Sequence, residues 1–447
     1  MEMNRSGRPL AATLALAVAA VLAPVGAANA EAPVAPEPAA AASTWTPSGD
    51  LGSLQNVAAS IGADAARATT DSSGRPLTGA GVTVAVIDTG ISPVAGLDGV
   101  GKVVDGLDLT AGADSAATRF VDDAGHGTYI AGIIAGSDLP GATGADPSVT
   151  GIAPGAQLLN VKVGGSAGDV DIAQVVTAID WVVAHRADDG MNVRVLNLSA
   201  GTISAQGYLV DPLAKAVENA WDAGIVVVAS AGNDGGTAAL TMPAADPTVI
   251  AVGSADNQGT SSTADDTLST FTNPGTAVRR PDLLAPGRSV VSLRAPGSAA
   301  DEEAPLVAGD ADQRLLRGTG TSQAAAVVSG AVALLLQDQP ALTPDQVKSV
   351  LTSSATTLTN EPSASQGAGL VNIAAAVAAA APSADAAAQQ AADSTGLGTS
   401  AGTGSWAGWY WAGWYWAGWY WADWNWSGWY WAGWYWAGWY WAGWYWA

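Results

Sequence analysis

The 447-residue chain has no cysteine, two histidines, four lysines and two phenylalanines. Without cysteine there is no disulfide framework, no thiol nucleophile and no Cys-ligated zinc or iron–sulfur centre. Two histidines are too few for a multi-histidine metal site. Lys and Arg total 17 against 40 Asp and Glu, a net charge of −23. That scarcity of basic side chains argues against a nucleic-acid partner, because phosphate contact needs clustered Lys and Arg. The carboxylates favour solubility and attract Ca²⁺. Alanine and glycine abound, and 20 tryptophans stand out. The length suits one large domain with tails, or two to three domains.

Residues 1–30 read as a secretory signal peptide. Arg5 and Arg8 supply the positive region, Ala11 to Ala23 the apolar stretch, and Ala28-Asn29-Ala30 the small residues of a cleavage site before Glu31. The apolar stretch is short for a membrane span. The protein is therefore expected outside the cell, secreted or held at its surface. Residues 31–76 form a short pro-segment or N-terminal extension. Its start is rich in Ala, Pro and Glu and reads as a disordered spacer, and Leu51–Ala66 carries a modest helical pattern suited to packing on the next domain.

Residues 77–380 alternate short apolar runs with amphipathic ones. Val82–Ile87, Gln157–Val163, Val193–Leu198, Ile225–Ala229 and Val249–Val252 are nearly all apolar, as strands buried on both faces of a parallel sheet should be. Helical stretches lie between or after them: Gly127–Ala135, Val170–Arg186, Asp211–Ala223 and Ser322–Gln337. This alternation predicts an α/β domain. Residues 381–405 read as a flexible linker of Ala, Ser, Gly and Gln. Residues 406–447 repeat Trp-Ala-Gly-Trp-Tyr and hold 17 of the 20 tryptophans.

Four polar residues fall where a strand ends or a helix begins. Asp88 follows Val82–Ile87, His126 precedes a helical run, Asn233 follows Ile225–Ala229, and Ser322 opens a helix. Open α/β sheets place their ligand crevice at such strand ends. A serine hydroxyl needs a base to take its proton as it attacks. His126 has the right basicity near neutral pH, and Asp88 can orient its ring and stabilise the imidazolium. The backbone N–H at the Ser322 helix start, with the Asn233 amide, can receive a developing oxyanion. Taken singly, each residue has a plainer reading as a cap or turn. His185, near a helix end, reads as structural. Asp122 and Asp123 read as facing solvent or a cation.

The segments Val86-Ile87-Asp88-Thr89-Gly90, Gly125-His126-Gly127-Thr128 and Gly320-Thr321-Ser322-Gln323-Ala324-Ala325 resemble the three signatures of subtilisin-like serine proteases. Ala231-Gly232-Asn233 resembles their oxyanion segment. The order Asp, His, Ser is also that of the family. The resemblance implies a three-layer α/β sandwich with a mainly parallel central sheet. It further implies a serine endopeptidase that hydrolyses peptide bonds through an acyl-enzyme, acting on protein or peptide substrates. Catalysis then needs no cofactor, and structural calcium is an option, although no Asp-x-Asp-x-Asp-Gly loop marks a site.

In the family the substrate lies as an added strand. The matching positions are Gly164 and Gly165 on one side and Ser199, Ala200 and Gly201 on the other. Ser199–Gly201 with Ser230, Ala231 and Gly232 wall the pocket ahead of the scissile bond. No charged side chain occurs there, so an apolar or medium-sized residue is expected. Three positions depart from the family pattern: Tyr129 stands where His or Arg is frequent, Gln323 where Met is common, and Ala326 where Pro is frequent.

The pentad period matches neither strand nor helix, and Trp and Tyr favour interfaces over a membrane interior. Contact with the cell envelope or a polymer is the first reading of residues 406–447. Self-association is the second, a membrane span the third, and an expanded repeat without a role the plainer alternative. The alternative for the whole chain is an inactive protease fold that uses its tail for adhesion.

Overall fold

A computed structural model describes residues 28–29, 46, 49–138, 149–204, 207–303, 306–384 and 386–387. The expected signal peptide and spacer, apart from single short stretches, lie outside the described residues, as do most of the linker and the whole repeat array. In chain order the strands and helices are β1 (Ala28–Asn29), α1 (Leu54–Ser60), α2 (Ala63–Arg67), β2 (Thr83–Asp88), β3 (Val103–Asp108), α3 (His126–Ala135), β4 (Gln157–Lys162), β5 (Asp169–Val170), α4 (Ile172–His185), β6 (Val193–Leu198), α5 (Pro212–Asp222), β7 (Val226–Ser230), β8 (Ile250–Asp256), β9 (Thr267–Leu268), β10 (Leu283–Pro286), β11 (Val290–Leu293), α6 (Ala299–Glu303), β12 (Leu315–Gly318), α7 (Thr321–Asp338), α8 (Pro344–Ser354), α9 (Ser363–Gln366) and α10 (Ile373–Ala378).

Seven strands make one parallel sheet in the order β10-β8-β7-β6-β2-β4-β3, and β9 adds antiparallel to β8. Every residue of β2 and β7 is buried. Such strands need cover on both faces, which explains their near-continuous Val, Ile and Ala. Helices α3 and α7 pack on each other, and α4 and α5 pack on each other; both pairs contact the sheet. The result is the three-layer sandwich expected from the sequence. All five predicted strands are observed, with ends within a few residues.

From β2 the chain runs out to β3 at the edge, comes back to insert β4 between β3 and β2, then crosses to place β6, β7, β8 and β10 on the other side of β2. The strand order therefore reverses at β2 and β6. In open α/β sheets this switch point leaves a crevice at the carboxyl ends of the strands. Asp88 ends β2, and Ser199 follows β6.

Helix α7 is buried at every position from Thr321 to Gln337. Its Ala, Gly and Val residues suit a helix surrounded by core rather than one with a wet face. Helices α5 and α8 begin on side-chain caps: Asp211 accepts from Leu213 N, and Thr343 forms a capping box with Gln346.

The pattern over Leu51–Ala66 is two helices rather than one. Gly62 breaks them with a φ of 73°, a conformation glycine adopts without steric penalty. Leu54, Val57, Ala58, Ile61, Ala63 and Ala66 belong to the same core as the sheet, and Ile373 N donates to Ile61 O at 2.9 Å. The packed body therefore begins before the boundary placed at residue 77. At the other end it continues past residue 380: Gln346 Nε2 donates to Pro382 O at 2.7 Å, and Ala387 is buried.

Candidate active site

Asp88 is carried to the crevice by β2 and is buried. Its Oδ1 lies 2.7 Å from His126 Nδ1 and accepts from Thr89 N at 2.8 Å. His126 opens α3. The two segments approach so closely that a side chain on Gly127 would meet Gly90 O at 2.1 Å, so only glycine fits there. The carboxylate thus fixes the ring through Nδ1 and leaves Nε2 toward the crevice.

Ser322 lies in the first turn of α7. Its Oγ donates to Ser199 O at 2.8 Å, and Ser199 Oγ donates to Ser322 O at 3.3 Å. A buried chain of side chains continues from there. Asn197 Nδ2 donates to Ser199 Oγ at 2.8 Å, and Ser329 Oγ donates to Asn197 Oδ1 at 2.9 Å. Asn197 is fully buried in β6. Its place in the otherwise apolar run Val195-Leu196-Asn197-Leu198 was the available signal for it, because a buried amide needs partners. It couples the end of β6 to α7, and sequence reading did not single it out.

Asn233 reaches the same helix start. Its Oδ1 accepts from Thr321 N at 2.9 Å, while Gly232 N donates to Thr321 Oγ1 at 3.2 Å. The first bond commits the amide carbonyl to α7 and turns Nδ2 the other way. Asp88, His126, Ser322 and Asn233, far apart in sequence, therefore share one crevice edge.

Asp122 corrects the expectation that it faces solvent or a cation, whereas Asp123 is part-exposed and does face a cation, the Lys162 ammonium. Asp122 is buried and accepts from Thr89 Oγ1, Gly125 N and Thr128 N, each at 2.7 Å. Burial pushes its carboxyl above the usual range, although the donors from Thr128, Thr89 and Gly125 oppose the shift. Asp123 pairs with the buried Lys162 ammonium at 2.9 Å. Lys162 ends β4 beside Asp88, and Nζ also donates to Val121 O. A buried ammonium needs such partners. These contacts hold the loop before His126.

Gly164 and Gly165, the predicted substrate edge, lie at the turn that leads into β5. Gly164 is buried, its N–H donates to Asp88 O at 3.2 Å, and it bridges Val170. The turn closed by Gly168 N and Gly165 O folds Asp169–Val170 back over it. The edge that receives another strand is β5: Ala28–Asn29 pairs with it antiparallel. Gly165 is half-buried in that turn. On the other side Ser199 is buried, Ala200 and Gly201 are half-buried, and Ala231 and Gly232 are buried. A cavity beside Asp88 and His126 is lined by Val163, Val170, Ile172, Val175 and Leu198, with Ser199 and Gly201.

His185 is structural, as expected. Its ring stacks on Trp181 at 4.2 Å and its Nδ1 contacts Trp181 O at 2.7 Å. Among the described residues, no three acidic, histidine or cysteine side chains are grouped so as to hold a metal ion.

A parallel sheet with helices on both faces, and an aspartate–histidine pair facing a serine-bearing helix across its switch point, define a subtilisin-like α/β sandwich. Residues 79–369 match the Subtilase family. Serine protease AprX of Bacillus subtilis (strain 168) is 36% identical over 308 residues, covering 67% of this chain and 66% of AprX. Subtilisin DY of Bacillus licheniformis is 34% identical over 301 residues, covering 67% of this chain and 91% of that protein. Among solved structures, the prenylagaramide maturation protease PagA is similar with a TM-score of 0.50 and 28% identity, over 67% of this chain and 92% of that chain. The chain spans just under two thirds of the length of AprX. It belongs to the subtilase family.

Proposed function

We propose that the protein is a serine endopeptidase that cleaves peptide bonds through an acyl-enzyme, with Ser322 as nucleophile, His126 as base then acid, and Asp88 as the group that orients His126. The observation that carries this reading is the 2.7 Å contact between His126 Nδ1 and buried Asp88 Oδ1, made at the crevice edge where α7 presents Ser322.

Rotation about the Ser322 side chain releases Ser199 O and turns the hydroxyl to His126 Nε2. As Oγ attacks the substrate carbonyl carbon, Nε2 takes the hydroxyl proton, and Asp88 stabilises the imidazolium. The carbonyl electron pair moves onto oxygen, which receives hydrogen bonds from Asn233 Nδ2 and Ser322 N. Collapse breaks the C–N bond. His126 passes its proton to the departing amine and leaves an ester on Ser322. Water, deprotonated by His126, then hydrolyses that ester and restores the serine. No step in this reading uses a metal ion or cofactor.

The substrate lies along β5 and the segment after β6. The pairing of Ala28–Asn29 with β5 supports an extended peptide there, because an open strand edge satisfies main-chain groups of an added strand. The aliphatic lining of the adjoining cavity supports a preference for apolar side chains. The expected signal peptide supports secretion, and the tryptophan array supports retention on an envelope or polymer.

A fluorophosphonate probe tests the assignment: it should label Ser322 in the full chain and fail to label Ser322→Ala. An unlabelled, folded wild-type chain would instead favour the inactive, adhesive alternative. Removal of residues 406–447 should free the protein from cells without loss of peptide hydrolysis.

A further inference from the structure

The Arg279 guanidinium holds a loop on the far side of the crevice. Nε donates to Ala244 O at 3.1 Å. Nη2 donates to Asp246 O at 3.0 Å and to Val249 O at 3.4 Å. Nη1 and Nη2 also grip Asp282 Oδ1 and Oδ2, each at 3.0 Å, and Nη1 donates to Arg280 O at 3.0 Å. A guanidinium has five N–H donors, and all of them find acceptors here.

Lys348, buried in α8, completes the cage. Its Nζ donates to Pro247 O at 2.7 Å and to Val249 O at 2.8 Å, and pairs with Asp282 Oδ1 at 3.1 Å. Asp282 is itself tied to the sheet, since its Oδ2 accepts from Ala251 N of β8 at 2.8 Å. The carbonyls of Ala244, Asp246, Pro247 and Val249 therefore turn inward onto two cations. Buried carbonyls outside a strand ladder need such partners.

The residues just before this loop back the crevice. Pro243 lines the cavity beside Asp88 and His126. Met242 N donates to Thr202 O at 2.8 Å, and Thr202 N donates to Met242 O at 3.0 Å. Thr241 N donates to Ala231 O at 3.2 Å, and a methyl group added at Gly201 would meet Thr241 Oγ1 at 2.4 Å. Residues 241–243 thus pack behind both segments that wall the pocket ahead of the scissile bond, 199–201 and 230–232.

We infer that Arg279 is a positioning residue for substrate binding: it clamps loop 244–249 to Asp282 and so fixes the wall that receives the substrate side chain ahead of the scissile bond. This rests on the catalytic reading above. Arg279 touches no reacting group and acts through residues 241–243. Lysine is no substitute, because an ammonium lacks the planar fork that reaches Ala244 O and Asp246 O while gripping both carboxylate oxygens.

The test uses the full chain with Arg279→Ala and Arg279→Lys, each counted for active sites with the fluorophosphonate probe. Two peptide anilides are assayed, one with Phe and one with Ala ahead of the scissile bond. In Arg279→Ala, KM for the Phe substrate should rise about tenfold or more while kcat per labelled site stays within about threefold, the pattern of lost binding rather than lost chemistry. The Ala substrate reaches less of the wall and should lose less. Millimolar guanidinium chloride refills the space left by the side chain and should bring KM back toward the wild-type value. Sodium chloride or urea at the same concentration should not. Arg279→Lys should share the raised KM and resist this rescue.

An unchanged KM in Arg279→Ala overturns the proposal. So does a smaller labelled fraction whose KM is normal, which is a loss of stability alone. Equal losses on both substrates, or a KM that guanidinium leaves raised, overturn it too. Should Arg279→Ala fail to fold, Arg279→Lys decides through the same comparison of the two substrates. A wild-type chain that neither labels nor hydrolyses defeats the catalytic reading itself, a result distinct from any of these.

Discussion

Thr89 Oγ1 donates to Asp122 Oδ1 at 2.7 Å and accepts from Gly127 N at 2.9 Å. One hydroxyl therefore joins the segment that carries Asp88 to the segment that carries His126, with a second buried carboxylate behind it. The Asp88–His126 contact is held by this layer as well as by its own bond.

Asp122→Asn should loosen that layer. Asn replaces one acceptor oxygen with an NH₂ that faces existing donors, so Thr128 N or Gly125 N loses its partner. The expected cost is about 1–3 kcal/mol for one unsatisfied buried group, read by denaturant titration. The activity of the remaining folded enzyme should fall as His126 loses its fixed orientation. Unchanged stability and activity would show that the buried carboxylate is dispensable.

Asn233→Ala removes one oxyanion donor and the Asn233 Oδ1 contact to Thr321 N. The expected result is a fall in kcat of about 10²–10³-fold, the loss typical of a single oxyanion-hole donor, with KM little changed. A loss confined to KM would place Asn233 in substrate binding instead.

Asp266 should make the protein less stable as pH rises. Burial, then the neighbouring charges of Asp265 and Asp256, push its carboxyl up to about 7, and neither oxygen has a hydrogen-bond partner. With the folded-state pKa above the unfolded one, near 3.9, the folded state holds the proton more tightly. This contribution is complete below the unfolded value and is lost as pH rises toward 7. Asp266→Asn keeps the shape without the charge. Its melting midpoint relative to the wild type should be higher at pH 8 than at pH 5; an equal difference at both pH values would refute the argument.

Ile61→Ala and Leu54→Ala test whether the segment before residue 77 belongs to the body. Both side chains are almost fully buried in the common core. Each substitution should cost about 2–5 kcal/mol, as large-to-small changes in a packed interior do. A cost near zero would mean that the segment leaves the enzyme without consequence.

Much of the fold was legible because its signals are local. Apolar runs such as Val193–Leu198 read as strands because burial on both faces demands them, and that element has the predicted ends. Val170 was assigned to a helix but belongs to a strand, because the Gly165–Gly168 turn folds it against Gly164, a contact no periodicity records. Strands β3, β10, β11 and β12 went unread, as did the two-residue strands β1, β5 and β9. In β3 the run Val103-Val104-Asp105-Gly106-Leu107-Asp108 is interrupted by two aspartates and a glycine, and its pairing depends on the neighbouring strand.

The candidate site divides in the same way. Asp88, His126, Asn233 and Ser322 were readable because each sits in a short motif at a strand end or helix start, where local geometry alone marks a polar residue. Asn197, Lys162 and the true setting of Asp122 were not. A buried amide, ammonium or carboxylate is explained only by partners distant in sequence, such as Ser329 for Asn197.

The amino-acid sequence by itself determined the chemistry available to this chain: no thiol, no histidine cluster, and one serine, one histidine and one aspartate in matching motifs. Tertiary structure decided how that chemistry is supported. It placed the strand reversal between β2 and β6, drew α1 and α2 into the core, and brought Thr89 against Asp122. The physical reason is that motif identity is set by covalent neighbours, whereas the partner of a buried polar group is set by which helices and strands pack together.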